Sequence, residues 1–310
     1  MMARRIRRWP LLDSSLPGIF PSSRKKTRVL PQPGIKPLSF AREITFSGSM
    51  LMISWRQTRF AHQMQRLCDC PSKWTLLSSA WAYFIYRPHR ARFIPTPLWC
   101  DLSPVEWLLR KMGQNLHMQT ATWLVSRTLT QAVGPWDTRL SLDDEGDYFC
   151  RVVLASNAIR FVADAKVFYR QQGSDRQSSI DRSDKKLESQ FLSMQLHVDY
   201  LRSLEESERA RAASLTYLQT RFGWFFEERP DLARELERLA ATLGGRLETP
   251  RLPWKYLWIQ KLFGWTVANQ VRQHWNRCKS FVIRCWDKVL FHFEPRSVQN
   301  RTGSWSVKSA

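Results

Sequence analysis

The 310-residue sequence lacks several features that would mark a common class of protein. Its 6 cysteines include "CDC" at Cys68–Cys70 but no CxxC pair, and its 6 histidines are scattered. These spacings argue against a zinc site and favour a reducing compartment. No apolar run reaches the roughly 18 residues that a membrane-spanning helix needs. The start, "MMARRIRRWPLL", has no sustained apolar region or small-residue cleavage site, which argues against a signal peptide.

Carboxylates are also scarce, and the excess positive charge is confined to the two ends of the chain. The formal net charge is +21. Residues 1–60 hold 12 Lys/Arg against 2 Asp/Glu, and residues 251–310 hold 11 against 2, so the ends supply +10 and +9 and leave +2 between them. A protein that reads nucleic acid usually carries its charge on the folded domain. We therefore do not expect a nucleic-acid partner.

Periodicity and capping residues divide the chain into four segments. Residues 1–60 are rich in Pro, Ser and Arg without periodicity, which predicts disorder. Residues 61–172 predict an α/β domain. A polar linker and charged helices are expected over 173–250, and a basic, Trp-rich helical tail over 251–310.

Within the α/β segment, "SPVEWLLRKMG" (Ser103–Gly113) predicts a short helix, with serine at its N-cap, proline at the first helical position and glycine past its end. Other helices are expected at 61–68, over a few residues ending at Gly134, and at Asp144–Ser156. A strand or a hairpin is expected at Trp74–Arg87, and strands at Thr122–Val125, Ile159–Phe161 and Lys166–Tyr169.

The segment "GPWDTRLSLDDEGDYFCR" carries the most chemical information. It places five carboxylates on a loop that leads into a helix: Asp137, Asp143, Asp144, Glu145 and Asp147. The helix dipole and the free N–H groups of the first turn favour carboxylates there, so capping alone is one interpretation. Repulsion within such a group also raises the pKa of at least one member, as a general base requires.

Residues 61–172 resemble the second half of bacterial family 2 glycosyltransferases, whose GT-A fold is Rossmann-like. The resemblance depends on "SR" after a strand, on the turn Gly134-Pro135-Trp136-Asp137, and on an acidic motif at Asp144–Glu145. Asp147 stands at a later acidic position of that motif. The fold expected from this resemblance is α/β, with a GT-A-like second half, a C-terminal helical extension and a disordered N-terminal region.

The resemblance implies transfer of a sugar from a nucleotide-sugar donor to a hydroxyl of a glycan or lipid-linked acceptor. Asp144 is the first candidate for the base that deprotonates this hydroxyl, and Glu145 is the second. Trp136 and Asp137 would lie at the acceptor or sugar site, although Trp136 would serve equally as a core aromatic. Three more residues stand where the family approaches the donor sugar: Gln114, His117 and Gln119.

Family members also hold Mg²⁺ or Mn²⁺ through a DXD motif, which this chain lacks. Its place is taken by "SGSMLMISWRQTRF" (Ser47–Phe60), which contains no carboxylate. When the last base of each codon is read with the first two of the next, Met52–Ile53 must encode Asp, and "SMLMI" can encode D-A-D-D. The same frame permits family-like strings back to Lys25. We therefore expect residues 1–60 to come from a shifted frame, and the chain as written to lack its donor-metal ligands.

The tail has an apolar stripe at helical spacing, flanked by Lys and Arg. The stripe consists of Val271, Trp275, Cys278, Val282, Trp286 and Val289. Such a helix suits an anionic membrane surface, but the stripe could instead pack on the catalytic domain. We expect a cytoplasmic enzyme that binds peripherally to the inner membrane face through 251–293. The alternative is a non-catalytic protein that binds membrane or nucleic acid through its basic ends.

Overall fold

The structure is a computed structural model, and it describes residues 53–55, 57–69, 72–171, 183–226, 228–250 and 252–295. The predictions of disorder and of a shifted reading frame for residues 1–60 fall mostly outside these ranges. So do most of the predicted polar linker, at 172–182, and the end of the tail, at 296–310.

The described part of the chain contains one mixed sheet of three strands in the order β1-β3-β2. β2 (Thr75–Phe84) is parallel to β3 (Ala158–Arg170), and β1 (Ile53–Trp55) is antiparallel to β3. Most of β2 is buried, which accounts for its nearly continuous apolar sequence. The prediction of a mixed α/β architecture with a C-terminal helix is confirmed.

Three of the predicted strands differ from the structure. Ile159–Phe161 and Lys166–Tyr169 belong to one strand, because Ser79 pairs with Val162 and Ala80 pairs with Lys166, so that residues 163–165 form a bulge.

Residues 122–125 do not form a full strand. Thr122 ends a 3₁₀ turn (Thr120–Thr122), and Leu124 pairs with Leu77 of β2 in a single antiparallel bridge. The Thr122 carbonyl accepts hydrogen bonds from the Gln63 side chain (3.0 Å) and from Ser79 Oγ (3.2 Å), so side chains occupy the backbone group that a strand partner would need.

The α/β segment contains four α-helices in its described residues: α1 (Gln57–Asp69), α2 (Pro104–Gly113), α3 (Arg127–Val133) and α4 (Asp144–Ala155). Ser103 Oγ caps α2 by accepting from the Glu106 N–H at 3.2 Å. Gly134 ends α3 with a φ of 75°, a conformation that favours glycine. Gly113 remains inside α2, and the left-handed residue that follows is Asn115, with a φ of 48°.

Helices α5 (Asp184–Leu204), α6 (Glu208–Phe222) and α7 (Pro230–Thr242) complete the same hydrophobic core. Val198 and Leu201 of α5 are fully buried in a cluster that also contains Leu108 of α2 and Val152 of α4. Residue 172, where the sequence suggests a domain boundary, therefore does not mark a break in packing.

The last helix is α8 (Leu257–Phe293), which turns at Gly264, where φ is 83°. The turn brings Ile259 against Ala268 in a small separate apolar cluster with Leu252 and Tyr256. Among the helices of the described residues, none is both long and apolar enough to cross a lipid bilayer.

The shared core predicts that a cavity in α5 weakens the sheet as well. Leu201→Ala, at a side chain with no exposed surface, should lower the free energy of unfolding by about 2–5 kcal/mol. Hydrogen exchange in β2 and β3 should accelerate together with exchange in α5. Unchanged exchange in the two strands would mean that residues 61–172 fold as a separate unit.

Candidate active site

The acidic segment lies at the N-terminus of α4, where its carboxylates face different partners. Asp143 stands immediately before the helix in a left-handed conformation, with a φ of 60°. Its Oδ2 accepts a hydrogen bond from Ser193 Oγ of α5 at 2.6 Å. A side chain at Gly146 would overlap this carboxylate, so glycine is needed there to leave room for Asp143.

Buried polar side chains on one face of α5 hold this loop in place. We call them the polar stripe of α5: Ser189, Ser193, His197 and Tyr200. Ser189 Oγ accepts from the N–H groups of Ser141 and Leu142, each at 2.9 Å, and donates to the Leu142 carbonyl at 2.8 Å. The stripe therefore satisfies backbone groups that the loop would otherwise bury without partners.

Asp143 is ionised although its carboxylate is turned inward. Burial opposes ionisation, but the pKa of Asp143 is lowered because Ser193 donates to it and Lys111 and Arg221 lie nearby. His197 is not the source of this stabilisation, because burial and the same two cations lower its own pKa to about 3 and keep the ring neutral. Its Nδ1 instead pairs with the Tyr217 hydroxyl at 2.7 Å.

The contacts of Asp147 indicate a structural role. It has no exposed surface, and its two oxygens accept from Tyr200 Oη at 2.8 Å and from Arg151 Nε at 2.9 Å. Arg151 also donates to the carbonyls of Val133 and Pro135, at 2.9 and 3.0 Å. The ion pair thereby ties α4 to the turn that follows α3.

That turn carries Trp136 and Asp137. Arg139 holds the Asp137 carboxylate in an ion pair at 2.6 Å and, through this hydrogen bond, lowers its pKa. Trp136 stacks on Tyr148 with ring centroids 4.4 Å apart and planes 7° apart, and 40% of its surface is exposed. Trp136 thus supports the turn and also leaves apolar surface open to a ligand.

Glu145 is the carboxylate that is both held and accessible. The residue is exposed, while its Oε2 accepts a hydrogen bond from Thr120 Oγ1 at 2.5 Å. Burial of the carboxyl end, together with repulsion from Asp144 and Asp143, raises the pKa of Glu145 and outweighs the hydrogen bond from Thr120, which lowers it. Asp144 is partly exposed beside it at the start of α4.

An aromatic group that the sequence analysis did not identify lies near Glu145. It comprises Trp81, Tyr83, His117 and Tyr169, which we call the aromatic wall. Tyr83 and Tyr169 are register partners near the carboxyl ends of the parallel strands, with rings 5.5 Å apart, and Trp81 lies 4.8 Å from Tyr83. Burial and then the charge of Glu145 raise the pKa of Tyr169, so this ring of the wall lies within electrostatic reach of that carboxylate.

The residues assigned to the donor side have different positions. His117 contacts Trp81 edge-on at 5.7 Å, so it belongs to the aromatic wall, and burial of its ring lowers its pKa although the residue as a whole is exposed. Gln119 is only 4% exposed, and its Oε1 accepts from the Ala121 N–H at 2.6 Å, so it caps the 3₁₀ turn. Gln114 is exposed at the end of α2.

The acidic residues do not form a metal centre. Within the described ranges, no group of three or more His, Cys, Asp or Glu side chains is placed to hold an ion. Asp143 and Asp147 are turned toward different partners in α5, which leaves only Asp144 and Glu145 near each other in the open part of the site. A divalent cation therefore does not fit this set of residues.

Comparison of the chain with protein-family models, with curated proteins and with solved structures finds no significant match. The function must therefore be argued from the geometry of the loop, the polar stripe of α5 and the aromatic wall. Together they form an exposed carboxylate with a raised pKa, held at a helix N-terminus beside aromatic rings.

Gly146→Ala should lower the free energy of unfolding by about 1–3 kcal/mol, because its methyl group displaces the Asp143 carboxylate from Ser193. The matched control is Gly113→Ala, whose added methyl lies an ordinary 3.5 Å from Ala213 Cβ and should be neutral or stabilising. Chemical denaturation measures both. In a double-mutant cycle, Gly146→Ala and Ser193→Ala should be non-additive, and additive effects would contradict the proposed displacement.

Glu145→Gln should make the protein more stable at pH 7 and leave its stability unchanged near pH 3. A carboxyl with a raised pKa favours its protonated form in the folded state, so stability falls as pH rises above 4.5 through the folded pKa. Glutamine does not ionise, so the variant should not lose this stability as the pH rises. Thermal unfolding at the two pH values tests this, with Glu237→Gln on the exposed face of α7 as the control for removing one negative charge. A variant less stable than the wild type at pH 7 would contradict the expectation.

Proposed function

We propose that the described body is the acceptor-activating half of a glycosyltransferase of the family 2 type, with a GT-A-like fold. One observation carries the proposal: Glu145 is accessible, is fixed by Thr120, and has a raised pKa beside an aromatic wall. General bases need a pKa closer to neutral than that of a free carboxylate. Binding sites in parallel sheets lie at the carboxyl ends of the strands, where Tyr83 and Tyr169 are found.

Glu145 acts as the base in this mechanism. The proton of the acceptor hydroxyl moves to a Glu145 oxygen, and the acceptor oxygen forms a bond to the anomeric carbon of the donor sugar. The bond from that carbon to the nucleotide diphosphate breaks, and its electron pair leaves with the diphosphate. In-line displacement of this kind inverts the anomeric centre, as the resemblance to family 2 implies.

The other residues support this step. Asp144, the first candidate from the sequence, lies next to Glu145 and raises its pKa. The open face of Trp136 and the rings of the aromatic wall offer flat apolar surfaces on which a sugar can stack. Thr120 and the polar stripe of α5 fix the position of the base.

The donor half is a separate part of the proposal. No group of three or more candidate metal ligands comes together in the described residues. The hypothesis of a shifted frame places the missing carboxylates in residues 49–53 of the restored reading. The chain as written should therefore release no nucleoside diphosphate from nucleotide sugars. Removal of one base at codon 60 should restore the donor-metal carboxylates.

A kinetic comparison tests the proposal. A synthetic gene with that base removed and a start codon placed ahead of the restored frame should yield a protein that releases nucleoside diphosphate from at least one UDP-, GDP- or dTDP-sugar. In that protein, Glu145→Gln should lower kcat by about 10²–10⁴-fold without weakening donor binding. Asp144→Asn should have a smaller effect.

Glu237→Gln is the matched control, and it should leave kcat unchanged. Equal rates for the Glu145→Gln and wild-type proteins would exclude Glu145 as the base. A restored chain that binds none of the nucleotide sugars would overturn the proposed function. Resequencing of the coding DNA around codons 1–70 tests the frameshift directly, since a base gained or lost near codons 60–61 is expected.

A further inference from the structure

The geometry points to a membrane-binding surface on α8 that takes an anionic lipid bilayer as its partner. The first indication is where exposed apolar side chains lie. Of the 18 large hydrophobic residues that are exposed in the described part of the chain, 14 lie between Trp254 and Phe293. A concentration of this kind marks an interaction site, whereas single exposed apolar residues are ordinary.

These side chains form one surface on both sides of the turn at Gly264. Along the longer segment, Trp275, Val282 and Trp286 are 61–64% exposed and recur at helical spacing. Ahead of the turn, Trp258 and Leu262 are 60% and 69% exposed. Trp258 and Trp275 line a shallow groove of about 300 Å³ together with Ile259 and Val271, so the two apolar faces are continuous.

The opposite side of α8 is held against the globular body. Asp287 accepts from the Tyr86 N–H at 2.9 Å and from Arg87 Nε at 2.8 Å, and Glu294 pairs with Arg87 at 3.2 Å and with His89 at 3.1 Å. Asp287 lies about 140° around the helix from Val282 at 3.6 residues per turn. The apolar stripe therefore faces away from the body, contrary to the interpretation in which it packs on the catalytic domain.

The positive charge of residues 252–295 favours an anionic partner. Residues 252–295 contain 7 Lys/Arg and 2 Asp/Glu, and both carboxylates are engaged with Arg87 and are only 16% and 18% exposed. Arg277 and Lys279 lie on the two flanks of the stripe. Basic residues on both sides of an apolar face that is rich in Trp are typical of a helix lying in the headgroup region of an anionic bilayer.

Two other occupants fit less well. A second copy of the chain would bring two strongly positive helices face to face, and a stripe of Trp and Val lacks the Leu and Ile seam that pairs helices. A nucleic acid would use the cations but would leave the apolar stripe without a role.

Co-sedimentation of the full-length chain with vesicles tests the surface. The probe is phosphatidylcholine vesicles containing about 30 mol% phosphatidylglycerol, compared with phosphatidylcholine alone. We expect binding to the anionic vesicles, weakening as salt rises. Trp275→Ser/Trp286→Ser should reduce the partition coefficient by about 100-fold. Arg277→Gln/Lys279→Gln should reduce it by about 30-fold.

Matched controls are Ile94→Ser, at an apolar residue that is 70% exposed and outside α8, and Arg92→Gln/Lys185→Gln, at exposed cations elsewhere. All variants change solvent-facing side chains, so circular dichroism and thermal unfolding should match the wild type. No donor or acceptor is present, so a failure here is distinct from a failure of the proposed catalytic function.

Three results would overturn the proposal. The first is equal binding to both kinds of vesicle or to neither. The second is a dimer in analytical ultracentrifugation that Trp275→Ser/Trp286→Ser converts to monomer, which would make a second copy the occupant. The third is binding to an oligonucleotide that weakens with the same Trp substitutions.

Discussion

The site depends on a small set of polar side chains buried on one face of α5. Ser189 holds the backbone of residues 141–142, Ser193 holds Asp143, and Tyr200 holds Asp147. A buried polar group without a partner costs about 1–3 kcal/mol, so these hydrogen bonds leave the loop few alternative conformations. Helix α5 therefore fixes the catalytic candidates, although its sequence is charged and has no distinctive hydrophobic pattern.

The five carboxylates of the acidic segment have different partners. Asp143 and Asp147 are satisfied inside the protein, and Asp137 is paired with Arg139 in the turn. Burial of the Glu145 carboxyl end, and after it repulsion from Asp144 and Asp143, raises the pKa of Glu145. The side chain of Asp143, at the N-cap, makes no capping hydrogen bond. The segment instead divides into carboxylates with partners inside the protein and the exposed Glu145.

Local signals predicted the helices well, because Ser103 and Ser126 each cap a helix through a bond to a residue three positions on. Features that depend on distant residues were missed. The prediction of a strand at Thr122–Val125 was wrong because side chains of α1 donate hydrogen bonds to the backbone carbonyls of that segment. The aromatic wall joins Trp81 and Tyr83 to Tyr169 through strand pairing, and no single window of sequence contains both strands. The alternation of Trp81 and Tyr83 on one strand was the available signal.

The parallel pairing of β2 with β3 has a consequence during synthesis on the ribosome. β2 is an apolar strand whose partner begins 74 residues later, at Ala158. At about 5–20 residues per second, roughly 4–15 s pass between the two strands. Throughout that interval β3, the strand that pairs with β2 in the described part of the chain, has not been made. Helix α5, which completes the core, emerges later still. A nascent chain with such an interval is a natural client for chaperones that bind extended apolar segments, and slower translation would lengthen its exposure to aggregation.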